Sequence, residues 1–220
     1  MAPKDFSNVA TYDLGPGIRR DERIIKVPSK PSDAVKRILD ILVSGIALVM
    51  LAIPMLGLAA IVRLTSPGPA IHWSKRVGRR GRLFLMPKFR TMRIDTPQLA
   101  THLLRDPERW LTPVGGFLRL SSLDELPQLL SVLVGDMSLV GPRPALFNQD
   151  DLIALRANKG VDALRPGLTG WAQVNGRDEL AIAEKVRMDE EYASKRGLRF
   201  DLRIMMLTIA KVMRGQGVSF

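Results

Sequence analysis

The 220-residue chain has no cysteine and only two histidines, His72 and His102. Disulfides, thiolate zinc sites, iron–sulfur ligation and a cysteine nucleophile are excluded, and little is left for a histidine metal site or a serine triad. Aromatic residues make up 5% of the chain, few for the stacking platform of a single-strand nucleic-acid binder. Acidic residues are also scarce: 22 Asp and Glu stand against 33 Lys and Arg, a formal net charge of +11. That surplus implies an anionic partner, either nucleic acid, acidic phospholipid or a phosphorylated small molecule. The length fits one compact domain and a tail.

From Ile41 to Val62 no residue is charged, and these 22 residues would extend about 33 Å as a straight helix, the thickness of a bilayer's hydrocarbon core. The run begins forty residues in, after Asp5, Asp13, Asp21, Glu22, Asp33 and Asp40, and is longer than a signal-peptide core, so it reads as a retained anchor. Arg23, Lys26, Lys30, Lys36 and Arg37 precede it, and Arg63, Lys75, Arg76, Arg79, Arg80 and Arg82 follow it. With basic residues on both sides, neither end is marked as the cytoplasmic end of a spanning helix. Pro54 removes a backbone donor and clashes with the preceding turn, leaving arms of about 20 Å and 13 Å, each too short to cross. The expectation is a re-entrant hairpin with both ends on the cytoplasmic side, in preference to a spanning helix or a buried core helix.

Residues 1–30 carry scattered charges, Gly15-Pro16-Gly17 and no apolar period, and read as a mobile basic tail. The re-entrant segment is placed at 31–64 and a cytoplasmic catalytic domain at 65–220. After the turn signals Pro67-Gly68-Pro69 and a basic patch, LFLMPKFRTM reads as a strand or extended segment. Helical patterns are expected near 97–106, 125–134, 145–158 and 178–196, with turns at 112–116, 135–144 and 165–176. Leu198 to Met213 forms an amphipathic pattern that either lies in a membrane interface or packs on the core. The fold class is α+β, mainly helical, with interfacial amphipathic helices beside the membrane hairpin.

The segment SSLDELPQLLSVL carries the most constrained chemistry, because Pro127 fits only the first turn of a helix. Asp124 and Glu125 then sit at the helix mouth, where free N–H groups and the dipole favour the ionised form. An ionised carboxylate is a nucleophile toward phosphorus, and a carboxylate pair is an oxygen ligand set for magnesium. Helix capping is the simpler use of the same residues. Around them the sequence concentrates cations beside glycine, proline or strand ends: Lys88, Arg90, Arg119, Arg143, Arg165 and Arg177. Arginines at turns suit bidentate phosphate binding, and each equally suits a surface ion pair.

The order of Lys36-Arg37, a proline-broken apolar run, GRRGRLFLMPKFRTM (78–92), SLDELPQLLSVLVGDMSLVGPRP (122–144) and PGLTGWAQVNGR (166–177) resembles the bacterial sugar transferases. These are monotopic polyprenyl-phosphate phosphoglycosyl transferases, and the resemblance covers about residues 35–213. It implies that Asp124 and Glu125 are a catalytic dyad, with Asp124 attacking the β-phosphate of a UDP-sugar to give a phosphosugar-enzyme and UMP. Polyprenyl phosphate would then take the phosphosugar, as the first membrane step of a bacterial glycan pathway such as exopolysaccharide synthesis. It further implies Mg2+ at Asp124, membrane lipids as surroundings, and a place on the cytoplasmic face of the bacterial inner membrane. Many members carry Ser before the bending proline, where this chain has Ile53, so the bend rests on Pro54 and the flanking charge. The chain resembles the minimal form of the family. Asp189 and Tyr192 match a further family pattern, and an i, i+3 helix pair explains them nearly as well.

Two rivals come from other classes. A membrane-tethered nucleic-acid binder is suggested by the charge and by Gly78-Arg79-Arg80-Gly81, which has the form of a KH loop; the missing preceding elements and few aromatics weigh against it, and no nucleic-acid partner is expected. A noncatalytic pathway scaffold would have no use for the intact acidic pair.

Overall fold

The computed structural model describes residues 30–97, 106–176 and 180–214. The tail expected over 1–30 falls outside them except for Lys30, as do most of the helix expected at 97–106 and the candidate Arg177.

The first helix, α1 (Pro31–Thr65), starts on a proline, which has no N–H to lose there, and the Asp33 carboxylate accepts the Lys30 N–H at 2.9 Å. Its 35 residues, about 52 Å, run through Pro54 as one helix. The structure thus holds one continuous apolar helix where a two-armed hairpin is expected. The leucines, methionines and alanines flanking Pro54 are strong helix formers, and one missing bond does not end a helix so supported.

A β-hairpin follows, β1 (Ile71–Val77) and β2 (Leu83–Phe89), joined by a 3₁₀ turn at Arg79–Gly81 in which Arg80 and Gly81 have φ of 57° and 75°. The chain continues through α2 (Gly115–Leu120), a 3₁₀ turn at Leu123–Glu125, α3 (Gln128–Val134), β3 (Ser138–Val140), β4 (Ala145–Leu146) and α4 (Asp150–Asn158). It ends with β5 (Gly167–Thr169), α5 (Trp171–Val174), α6 (Ile182–Lys195) and α7 (Leu198–Met213). One antiparallel sheet has the order β2-β1-β4, and β3 pairs with β5 in parallel. The mainly helical α+β class is as expected. The strands β1, β3 and β5 fall in stretches read as turns or basic patch; β3 and β5, of three residues each, are too short to display a period, and β1 is masked by its basic residues. α7 occupies the expected residues, whereas α2 begins inside the expected 112–116 turn.

The two ends of α1 are held to the same folded body by different forces. At its start, Lys30 Nζ donates to the carbonyls of Ser194 and Arg196, and Lys36 Nζ to Asp201 at 2.7 Å. Arg37 donates to the carbonyls of Val132 and Leu133 at the end of α3, and Asp40 accepts the Leu139 N–H at 3.1 Å. At its end, Val62 is buried with Phe89 and Leu118, with Met55, Leu58 and Ala59 packed on them; each such fully buried side chain contributes about 1.5–3 kcal/mol. Between these anchors Ile46, Val49, Met50, Ile53 and Leu56 are exposed, Ile53 by 82%. α7 also has two apolar faces: Ile204 is buried beside Val140, Val174 and Tyr192, while Leu202, Met206, Ile209 and Met213 are exposed.

Candidate active site

In the hairpin, His72 lies opposite Lys88, Ser74 opposite Met86 and Arg76 opposite Phe84. Alternation puts all six side chains on one face. Burial and the neighbouring Arg76 push the Lys88 ammonium down to about 8, against the pull of Asp124 and Glu125. Arg76 also donates to the Pro144 carbonyl at 3.1 Å, tying the hairpin to the Gly-Pro-Arg-Pro turn. Arg76 was missed as a site residue; the strand period across the GRRG turn is the signal that carries it. Burial, then Lys88 and Arg76, push His72 below the usual imidazole range.

Asp124 and Glu125 lie in the 3₁₀ turn that precedes α3, which begins only at Gln128 with Pro127 as its cap residue. The N–H groups of Leu129 and Leu130 already bond the carbonyls of Leu126 and Pro127. The pair thus lies in the turn leading into α3 and not in the helix's own first turn, and the expectation that Asp124 is held down there is corrected. Burial, followed by the like charge of Glu125, pushes the Asp124 carboxyl up to about 6, opposed by Lys88, Arg119 and Arg143. Asp124 remains mainly ionised at neutral pH, and among the described residues none donates a hydrogen bond to its carboxylate.

The cations divide into two groups. Lys88, Arg119 and Arg143 act on the pair: Arg119 Nε donates to Thr91 Oγ1 at 3.0 Å with its charge felt at Asp124, and Arg143 Nη1 lies 3.4 Å from Glu125 Oε1. Arg90 is buried and donates to the carbonyls of Ser66, Gly68 and Pro69, so it fastens the chain leaving α1 and does not join the site. Arg165 donates to the Gly135 carbonyl at 3.0 Å, and its charge acts on Arg79. Arg90 keeps a buried Nη1 without a partner among the described residues and Arg165 commits only its Nε to a carbonyl, but neither is among the cations whose charge acts on Asp124.

Arg143 is itself positioned from behind. Arg156 donates through Nε and Nη2 to Asp189 Oδ2 at 2.9 and 2.6 Å, and through Nη1 to the Arg143 carbonyl at 2.7 Å. On the other side the glycine motifs cross: Gly141 N–H bonds the Thr169 carbonyl and Gly167 N–H the Pro142 carbonyl, both at 2.9 Å. A Cβ on Gly167 or Gly170 would collide with the backbone of Gly141, so these glycines serve close chain packing. Asp189, which the sequence offers as a family pattern or one of an i, i+3 helix pair, is a buried ion-pair partner. Tyr192 bonds Asp201 and the Val140 carbonyl, and Trp171 packs on Phe200.

Among the described residues no cluster of three or more His, Asp or Glu side chains is present. The adjacent carboxylates of Asp124 and Glu125 match a magnesium ion, which takes one or two carboxylates and completes its shell with water and substrate phosphates.

A family model described as bacterial sugar transferase matches residues 31–215. The chain belongs to the bacterial sugar transferase family. Among relatives, this sugar transferase is 39% identical over 187 residues to the uncharacterized sugar transferase EpsL of Bacillus subtilis strain 168, covering 84% of this chain and 90% of EpsL. It is 39% identical over 197 residues to a UDP-glucose:undecaprenyl-phosphate glucose-1-phosphate transferase of Caulobacter vibrioides, covering 85% and 73% of the two chains. A protein with that description from Escherichia coli K12 is 36% identical over 200 residues, which are 86% of this chain and 43% of the relative. This sugar transferase thus spans less than half of the E. coli protein's length.

Proposed function

We propose that this sugar transferase moves a phosphosugar from a UDP-sugar to polyprenyl phosphate in two displacements. The observation that carries the reading is Asp124: a buried, mainly ionised carboxylate with no hydrogen-bond donor among the described residues, faced by Lys88, Arg119 and Arg143. In the first displacement an Asp124 carboxylate oxygen forms a bond to the β-phosphorus. The bond from that phosphorus to the bridging oxygen breaks, and UMP leaves with the electron pair. In the second, a phosphate oxygen of the polyprenyl phosphate forms a bond to the same phosphorus and the aspartyl–phosphorus bond breaks. Polyprenyl-diphosphate-sugar leaves and the carboxylate is restored; nothing is oxidised or reduced. Lys88, Arg119 and Arg143 offset the charge of the diphosphate so that an anionic nucleophile can approach. Asp124 and Glu125 would hold Mg2+, whose charge further neutralises the diphosphate.

UDP-glucose, named in the description of the Caulobacter relative, is the donor to test first. UMP should appear before any acceptor is added, and intact-protein mass spectrometry should find one phosphosugar on the chain. Turnover without an adduct would exclude this route.

Both ends of α1 stay on the cytoplasmic side, so that the helix enters the membrane without crossing it. Support comes from α1's two anchors on one body, about 33 Å apart along the helix between Asp40 and Val62, and from the bare apolar stretch between them. A spanning helix would put those two anchors, and the one folded body that holds both, on opposite sides of the bilayer. Single cysteines placed at residues 36 and 75 should resist an impermeant reagent from the periplasm. Labelling of residue 36 alone would establish a spanning helix.

A further inference from the structure

Glu125 also lines a cavity of about 330 Å³ whose walls are mainly apolar, from Leu126 and Leu129 on the α3 side to Met205, Ile209 and Val212 of α7. Its volume lies at the lower end of small-ligand sites, about 300–1,000 Å³. The polar groups in its wall are largely turned back onto the protein. Thr208 donates to the Ile204 carbonyl, the Thr169 and Thr208 hydroxyls lie 2.6 Å apart, and the Gln173 amide donates to the Leu168 carbonyl. Gln173 Oε1 is buried there without a partner among the described residues. Such a wall offers mainly hydrocarbon contact, with Ser122 and Lys211 as its remaining side-chain donors. At one end it touches the acidic pair through Glu125. On the other side it includes Ile209, which is 56% exposed and belongs to the bare apolar face of α7 with Leu202, Met206 and Met213. Lys211, also in the lining, supplies a cation suited to a lipid phosphate.

We propose that this cavity receives the first isoprene units of the polyprenyl phosphate acceptor, threading the chain from the reacting phosphate beside Glu125 to the apolar face of α7. The inference rests on the two-displacement reading above and adds the acceptor's own site. Ile209→Trp and Val212→Trp would fill the cavity from its exposed side, where folding is least disturbed.

The two half-reactions separate the possibilities. Transfer from the phosphosugar-enzyme to polyprenyl phosphate should fall at least tenfold relative to the UMP burst, through a raised apparent KM for acceptor. Unchanged transfer in both variants overturns the assignment. An equal fall in UMP burst and transfer also overturns it, because the cavity would then serve the donor. Absence of any UMP burst in the native protein would instead strike the two-displacement reading. Independently of any variant, a polyprenyl phosphate carrying a diazirine in the isoprene nearest the phosphate should crosslink the native protein within 126–139 or 205–212. Crosslinks confined to α1, or a cavity covered by a second copy of the chain, would overturn the proposal.

Discussion

Asp124 and Asp189 are both buried carboxylates, exposed by 6% and 1%, and burial pushes both above the usual carboxylate range. Their surroundings make them opposites. Asp189 is gripped by two guanidinium donors of Arg156 on one oxygen, so its charge is spent on holding α6 to α4. Asp124 faces three cations at a distance and the like charge of Glu125. A buried acid that accepts two donors of one guanidinium is a fastener, and one that feels cations without accepting a hydrogen bond from them keeps its lone pairs for a reaction.

The strongest way to break this comparison is Asp124→Asn, which keeps the shape and removes the nucleophile. Turnover should fall by about 10⁴-fold or more, the phosphosugar mass should vanish, and the thermal midpoint should not drop. An adduct on the variant would place the nucleophile elsewhere.

Asp189→Asn should behave in the reverse way. Leaving Arg156 buried without its counter-charge should cost about 3–5 kcal/mol of stability, read by denaturant unfolding. The double variant Asp189→Leu with Arg156→Met should regain most of that stability. It should still use the UDP-sugar less well, by about 1 kcal/mol in kcat/KM, because the Arg143 carbonyl has lost its donor.

The cations sharpen the contrast further. Arg143→Lys keeps the charge but loses the planar fork, and should weaken donor kcat/KM by about 1.5–3 kcal/mol. Arg165→Lys, whose charge is not among those acting on Asp124, should change it by less than about 0.5 kcal/mol. Equal effects would return Arg165 to the site.

Lys88 gives the mildest test, by pH. Because its pKa in the folded chain is pushed down to about 8, the cation is lost as pH rises through 8, and kcat/KM of the free enzyme should decline above that point. Lys88→Arg should remove this alkaline limb. The stability effect has the other sign: between pH 8 and 10 the unfolded chain holds a proton on Lys88 that the folded chain has released, so stability rises there relative to Lys88→Met.

Much of the site was legible because local chemistry dictates it. Pro127 confines Asp124 and Glu125 to the approach of a helix whatever packs around them, and Lys88, Arg119 and Arg143 stand beside turns or strand ends. The roles of Arg90 and Arg165 were not legible, since a guanidinium beside a turn looks the same whether it faces a ligand or a carbonyl far away in sequence. Asp189 was hidden for the same reason: its partner Arg156 lies 33 residues off.

The sequence by itself determined the apolar helix, the acidic turn, the excess of cations and the amphipathic α7, because each follows from spacing and residue chemistry within a few turns of chain. Only the tertiary structure decided which cations reach the pair, that Asp124 is raised and not lowered, and that both ends of α1 rest on one body. It also joined Glu125 to an apolar cavity. Desolvation, long-range charge and burial depend on what distant segments bring together, and those distances are not written in local sequence.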